Sequence, residues 1–197
     1  MDITPSTDPL ILFENWMAEA KAHPHIREAT AMAVATLSRE GELRNRVVLC
    51  KGWSKEGFVF FTNYDSRKGL DLQENALTGV VFYWDALFRQ VKIEGTVEKT
   101  SRQVSENYWR TRPRESQISQ FISKQSQPAP ERKKMEEAWA AADTEFRDRE
   151  IPCPEHWGGY LIRPKSVEFW IGRPGRFHDR HVFEKTVSTW TYSRLYP

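Results

Sequence analysis

The sequence predicts a mainly β protein with helices (α+β): a closed antiparallel sheet carrying a helical insertion and outer helices. Three observations carry that expectation. Short runs of β-branched and aromatic residues recur with polar turns between them. Residues 101–147 switch to helical patterning broken by prolines. Strand signals then return and continue to the C-terminus. Strands this short and numerous favour a barrel-like antiparallel sheet over a parallel α/β sheet. One domain is expected over 1–197, with a helical segment within 1–25, the insertion at 101–147 and closing strands in 156–197.

Each element has its own signal. Residues 9–22, PLILFENWMAEAKA, set Leu10, Phe13, Met17 and Ala20 on one helical face, and Pro9 suits a first turn. AMAVATL (31–37), RVVLC (46–50) and GFVFFT (57–62) read as strands. A short helix is expected at 67–73. GVVFYW (79–84) and RQVKIEGTVE (89–98) form the next antiparallel pair. Helices follow at 101–123 and 129–147, with Pro113, Pro128 and Pro130 as breakers. After the IPCP turn come GYLIRP, SVEFWI, RHVFEK and STWTYSR.

Composition narrows the class. A hydrophobic share of 39% with 28% charged residues belongs to a globular chain, not a disordered one. The net charge of +2 excludes a global field for nucleic acid, so any anion binding must come from local clusters. Aromatics at 13%, with eight Trp, suit a core or a planar ligand. Cys50 and Cys153, the only cysteines, form neither a disulfide framework nor a metal spacing. The opening MDITPSTDPL is no signal peptide, and no apolar run reaches the ~20 residues of a membrane span. A cytoplasmic protein is expected, without nucleic-acid or membrane partners.

Four polar clusters are candidates for chemistry. Arg46 and Lys51 flank VVLC; five residues apart, they fall on opposite strand faces unless a bend intervenes, and they also suit two solvated edge charges. NYDSRK (63–68) follows an apolar strand and opens a helix. It is either an ordinary capped start or a phosphate cradle of helix amides with Arg67 and Lys68. In YWRTRPRES (108–116), Tyr108, Arg112 and Ser116 are spaced by four, although Pro113 implies a bend; a solvated basic loop is the alternative. In WIGRPGRFHDR (170–180), Gly172, Pro174 and Gly175 force a turn bearing Arg176, His178, Asp179 and Arg180. A histidine there can exchange protons or bond a ligand hydroxyl. GxGxxG, P-loop, HExxH and GxSxG motifs are absent, and five scattered His with two Cys argue against zinc. The residues alone reach a multi-arginine anion binder.

Taken in order, RVVLCK, FFTNYDSRKG, FYWDALFRQVKIEG, YWRTRPRESQI, SKQS, WGGY, EFWIGRPGRFHDR and RLYP resemble the pyridoxine (pyridoxamine) 5′-phosphate oxidase family. The likeness runs from about residue 8 to the C-terminus. It implies a split β-barrel that binds FMN at a homodimer interface and oxidises pyridoxine or pyridoxamine 5′-phosphate to pyridoxal 5′-phosphate, with O2 as acceptor. It places Arg46, Val47, Val48, Leu49, Cys50, Lys51, Phe61 and Thr62 along FMN, and Arg67 and Lys68 on the flavin phosphate. Gln90, Gln125, Ser126, Trp170 and Arg180 complete the cofactor contacts. Lys51, Tyr108, Arg112 and Ser116 would hold the substrate phosphate. Arg176, Phe177 and His178 would face the substrate ring, with Arg176 and His178 nearest the chemistry.

This chain departs from the family pattern at Cys50, Phe177 and Tyr196. It also begins downstream of an Arg-x-x-Tyr segment that covers the site in many members, so either another segment closes the pocket or the site is more open. Two other functions stay in view: a related flavin oxidase acting on a different aromatic substrate, such as the phenazine-forming relatives, and a non-catalytic flavin- or haem-binding split-barrel protein. Loss of the substrate-phosphate residues would mark the first, and all of them stand here.

Overall fold

A computed structural model describes residues 3–197. Helix α1 (Pro9–Ala22) is capped by Asp8, whose carboxylate accepts from the amides of Leu10 and Ile11. Its buried face is Pro9, Leu12, Phe13, Trp16, Met17 and Ala20. Leu10, expected on that face, is only half-buried, because the stripe runs through Leu12 and Trp16 instead. Phe13 is fully buried and meets Phe58 edge-on at 4.8 Å and Phe82 at 5.1 Å. The helix thereby plugs the curled sheet.

Strands β1 (Ala31–Leu37), β2 (Leu43–Leu49), β3 (Gly52–Ser54) and β4 (Gly57–Asn63) precede helix α2 (Arg67–Glu74). β1 alternates as expected of a half-buried strand, sending Met32, Val34 and Thr36 inward. β2 starts earlier than its apolar run: Leu43, Arg44 and Asn45 pair with β1 in full register. It also stops at Leu49, before Cys50. β5 (Leu77–Trp84) and β6 (Arg89–Lys99) form the expected pair. The insertion holds three helices rather than two: α3 (Arg102–Thr111), α4 (Arg114–Ile122) and α5 (Arg132–Glu145). Pro113 separates the first two, since it lacks an amide proton and keeps Arg112 extended.

GYLIRP and SVEFWI fuse into a single strand, β7 (Trp157–Ile171). Glu94 pairs with Ser166 and Gly95 with Pro164, which leaves Lys165 as a bulge residue. Gly95 is required there: a Cβ would lie 2.0 Å from the Arg163 carbonyl oxygen. β8 (Asp179–Lys185) and β9 (Trp190–Leu195) complete the sheet. Its order is β2-β1-β5-β6-β7-β4-β3, with β8 on the far half of β7 and β9 on β8. β7 is the spine: its first half pairs with β4 and its second half with β8. A second, smaller core of Trp109, Ile118, Ala142, Phe146, Ile151 and Trp157 lies under the helical insertion. Among the described residues, no helix is long and apolar enough to cross a membrane.

Candidate active site

The cradle at the start of α2 is built by backbone chemistry. Ser66 caps the helix by accepting from the Gly69 amide, and its hydroxyl donates to the Asn63 carbonyl at 2.7 Å. Gly69 fits because a Cβ would sit 2.1 Å from the Tyr64 carbonyl oxygen. Lys68 Nζ then donates to Thr62 Oγ1 at 2.8 Å, Gln125 Oε1 at 2.9 Å and Ser66 Oγ at 3.2 Å. Burial, reinforced by the Arg46 charge, pushes the Lys68 ammonium down to about 8. A buried cation beside a second cation is short of an anion, which is what a phosphate supplies. Arg67 is exposed in the first turn and makes no side-chain bond among the described residues.

Arg46 donates to the Val34 carbonyl at 3.1 Å and approaches Asp71 Oδ2 at 3.9 Å. Asp71, 4% exposed, is fixed by Thr36 at 2.7 Å and Arg44 at 2.6 Å. Because the chain leaves β2 at Leu49, Lys51 reaches the cavity despite the five-residue spacing, while Arg46 stands behind it.

Further lining comes from the insertion. Tyr108 stacks on Phe61 at 4.0 Å between centroids, and Trp157 lies behind Phe61 at 5.4 Å. Arg112 lies over Trp157 at 4.9 Å and Trp109 at 5.5 Å, and its Nη2 donates to the Ser116 carbonyl at 3.2 Å. Its Nε is buried without a partner, and burial holds its pKa below the ordinary arginine value. The broken helix therefore still aligns Tyr108, Arg112 and Ser116. They share a cavity of about 370 Å³ with Val47, Val48, Leu49, Lys51, Phe61, Thr62, Lys68 and Gln125. That volume suits a small planar ligand.

Cys50 does not belong to this cavity. Its thiol is 1% exposed in the main core, and burial pushes it up to about 11. Ser126 is exposed beside Gln125, in a left-handed conformation at φ 72°.

The remaining candidates gather elsewhere. Gln90, Trp170 and Arg180 form one row across β6, β7 and β8. The 174–176 turn beyond β7 carries Arg176 at φ 62°, exposed and without a side-chain partner among the described residues. Phe177 is 73% exposed. The His178 ring lies 4.6 Å from Trp170, and its Nδ1 accepts from the Arg173 amide at 3.1 Å. Asp179 is spent on ion pairs with Arg173 and Arg194.

The two groups stand at opposite ends of one strand. Thr62 and Phe61 pair with Gly158 and Gly159 at the start of β7, whereas Trp170 lies near its end. Trp170 lies eleven residue steps along the strand from Gly159, up to ~36 Å at ~3.3 Å per residue. Trp157 and Glu168 lie within the WGGY and EFWIGRPGRFHDR segments, but their roles, like that of Asp71, are marked only by burial and contacts.

Comparison with known proteins follows these features. A family model described as pyridoxamine 5′-phosphate oxidase matches residues 18–144. A second, described as the pyridoxine 5′-phosphate oxidase C-terminal dimerisation region, matches 157–197. The chain is 45% identical to a pyridoxine/pyridoxamine 5′-phosphate oxidase of Leptospira interrogans, over 97% of this chain and 89% of that protein. It is 40% identical to the pyridoxine-5′-phosphate oxidase of Bos taurus, over 98% and 79%. Among solved structures, Burkholderia lata PhzG, in complex with tetrahydrophenazine-1-carboxylic acid, aligns with a TM-score of 0.92 at 26% identity, covering 98% of this chain and 94% of that one. A Nostoc punctiforme FMN-binding protein related to pyridoxamine 5′-phosphate oxidase aligns at 0.77 and 13% identity, covering 98% and 100%.

Proposed function

The chain belongs to the pyridoxine/pyridoxamine 5′-phosphate oxidase family and has its split β-barrel; from that premise we propose that it is an FMN-dependent pyridoxal 5′-phosphate synthase. The reaction would oxidise the 4′ carbon of pyridoxine or pyridoxamine 5′-phosphate to the aldehyde; bound FMN would supply the two-electron acceptor, with O2 reduced to H2O2 in turn, and the amine substrate would also consume one water and release ammonia.

One observation carries this function. A single cavity gathers two cation-bearing sets, Lys68 with Thr62 and Gln125, and Lys51 with Arg112 and Ser116. Two phosphorylated planar molecules need such a pair of anchors to lie ring against ring. Lys68, Arg67, Thr62 and Gln125 fit the flavin phosphate, with Arg46, the 47–51 segment, Phe61 and Ser126 alongside. The chemistry of these donors supports the fit: Lys68 lacks an anion, and the buried Arg112 Nε lacks an acceptor. Tyr108, Arg112, Ser116 and Lys51 then hold the substrate phosphate.

A second copy supplies the other half. Gln90, Trp170, Arg176, His178 and Arg180 lie toward or beyond the far end of β7 and none of them lines the cavity of their own chain, and the 157–197 segment matches a dimerisation region. In the proposed homodimer, with FMN at the interface, each cavity is closed by the other chain's Arg176–His178 turn. Arg176, exposed in a left-handed turn, would bring its guanidinium to the substrate ring. Because His178 Nδ1 accepts a backbone proton, the neutral ring carries its own proton on Nε2 and offers it as a donor to the substrate's 4′ substituent.

The likeness to PhzG favours one alternative, oxidation of a reduced phenazine acid. An aerobic assay decides between them, comparing both vitamer phosphates, their unphosphorylated forms and tetrahydrophenazine-1-carboxylic acid. Turnover confined to the phosphorylated vitamers is expected. Turnover of the phenazine acid alone, or protein that takes up no FMN, overturns the proposal.

A further inference from the structure

Glu168 is 3% exposed, although it alternates with Val167 and Phe169 and so faces away from the core they fill. Its carboxylate receives Arg180 as a fork, Nε to Oε1 at 2.6 Å and Nη2 to Oε2 at 3.0 Å. Lys92 Nζ closes the other side at 3.1 Å from Oε2. The rows of the sheet explain the convergence. Lys92, Glu168 and Val182 are one row, and Gln90, Trp170 and Arg180 are the next. The arginine stem rises beside Trp170, and the guanidinium is drawn back onto the neighbouring row. Burial pushes the Glu168 carboxyl up, but the hydrogen bonds from Arg180 and Lys92 outweigh it and keep the group below the ordinary carboxylate range.

Stability does not account for this arrangement. A buried ion pair is commonly no more stabilising than apolar residues of similar size. What a carboxylate fork does provide is a single orientation for an otherwise many-rotamer side chain.

We propose that Glu168 is a positioning residue for the cofactor half-site: it locks the Arg180 guanidinium beside Gln90 and Trp170 and, with one Nη1 proton given to the Tyr196 carbonyl at 3.3 Å, leaves one N–H on each of Nη1 and Nη2 to the flavin. The inference rests on the assignment of Arg180 to FMN made above. Lys92, itself paired with Glu94 at 3.4 Å, holds Oε2 from the other side and so keeps the carboxylate from turning away from Arg180.

The test is a double-mutant cycle read as FMN dissociation constants, from quenching of flavin fluorescence. Glu168→Gln keeps the shape and one acceptor, and Glu168→Ala removes both. Glu168→Gln is expected to weaken FMN about tenfold in the wild-type background. In an Arg180→Ala background it should change the constant less than about twofold, because a residue acting through Arg180 has nothing left to act on. Equal weakening in both backgrounds overturns the inference and leaves Glu168 a general structural group. If Glu168→Ala does not fold, the near-isosteric Gln variant still runs the cycle. Unchanged FMN affinity in Arg180→Ala alone overturns the flavin assignment of Arg180, and the inference with it, a result distinct from equal weakening.

Discussion

Arg112 lies with its guanidinium 4.9 Å above the Trp157 ring, and its buried Nε has no partner. The aromatic plane fixes the fork, and the orphaned donor defines where an anion belongs. Arg112→Lys keeps the charge but loses the planar stack and the fork. It is expected to raise KM for the phosphorylated substrate by ~10–100-fold, a loss of ~1.4–2.7 kcal/mol, with FMN affinity nearly unchanged. Steady-state kinetics beside a flavin titration checks the split.

Lys68 makes cofactor binding depend on pH. Its folded value of about 8 lies below the ordinary lysine value, and a bound phosphate favours the charged form. FMN affinity should therefore be flat below about pH 8 and fall as pH rises through it, by up to about tenfold per unit. Lys68→Met should bind weakly at every pH and lose the slope. A titration series from pH 6.5 to 9.5, on the order of the window in which the group loses its proton, reads the effect.

The same group destabilises the cofactor-free protein. Its folded pKa is depressed, so the cost of burying the cation is fully present below about pH 8 and is relieved as pH rises toward the unfolded value near ~10.4. Lys68→Met should raise the Tm of the FMN-free protein at neutral pH by ~2–4 °C, for about 1 kcal/mol recovered. An unchanged or lower Tm would contradict a buried, charged Lys68.

Phe13 carries α1's hold on the barrel. It is fully buried, in edge contact with Phe58 and Phe82. Phe13→Ala is expected to cost about 3–5 kcal/mol, seen as a lower urea midpoint. Catalysis by the fraction still folded should change little, because Phe13 does not line the cavity.

Most of the fold was legible because its elements are local. The 9–22 helix, the 57–62 strand and the 79–84/89–98 pair carry periodicity or capping within themselves. β2 was seen only from Arg46, since Leu43–Asn45 alternate no apolar face and depend on pairing with β1. β7 read as two strands because Pro164 interrupts its pattern, and only the bulge opposite Gly95 shows how one strand tolerates it. Candidate site residues stand out where arginines cluster in sequence, and the structure gathers Lys51, Lys68, Arg112 and Ser116 around one cavity. Trp157 and Glu168, though inside the quoted segments, and Asp71 had no role readable from sequence, because an isolated aromatic or acid gains its meaning only from the partner the fold brings to it. At Cys50 the side chain turns into the core while Leu49 and Lys51 line the cavity, because adjacency to cavity residues does not fix which way a side chain points at the end of a strand.

The central claim is that the cavity of one chain and the Arg176–His178 turn of another form one oxidase site, and co-expressing Arg112→Ala and Arg176→Ala chains tests it most directly. Each variant alone should be nearly inactive. In a mixed dimer one site carries both changes and the other carries neither, so a random mixture should recover about a quarter of wild-type pyridoxal 5′-phosphate formation. No recovery from a mixture shown to contain mixed dimers would contradict the shared site, since a site held within one chain leaves a lesion in every copy.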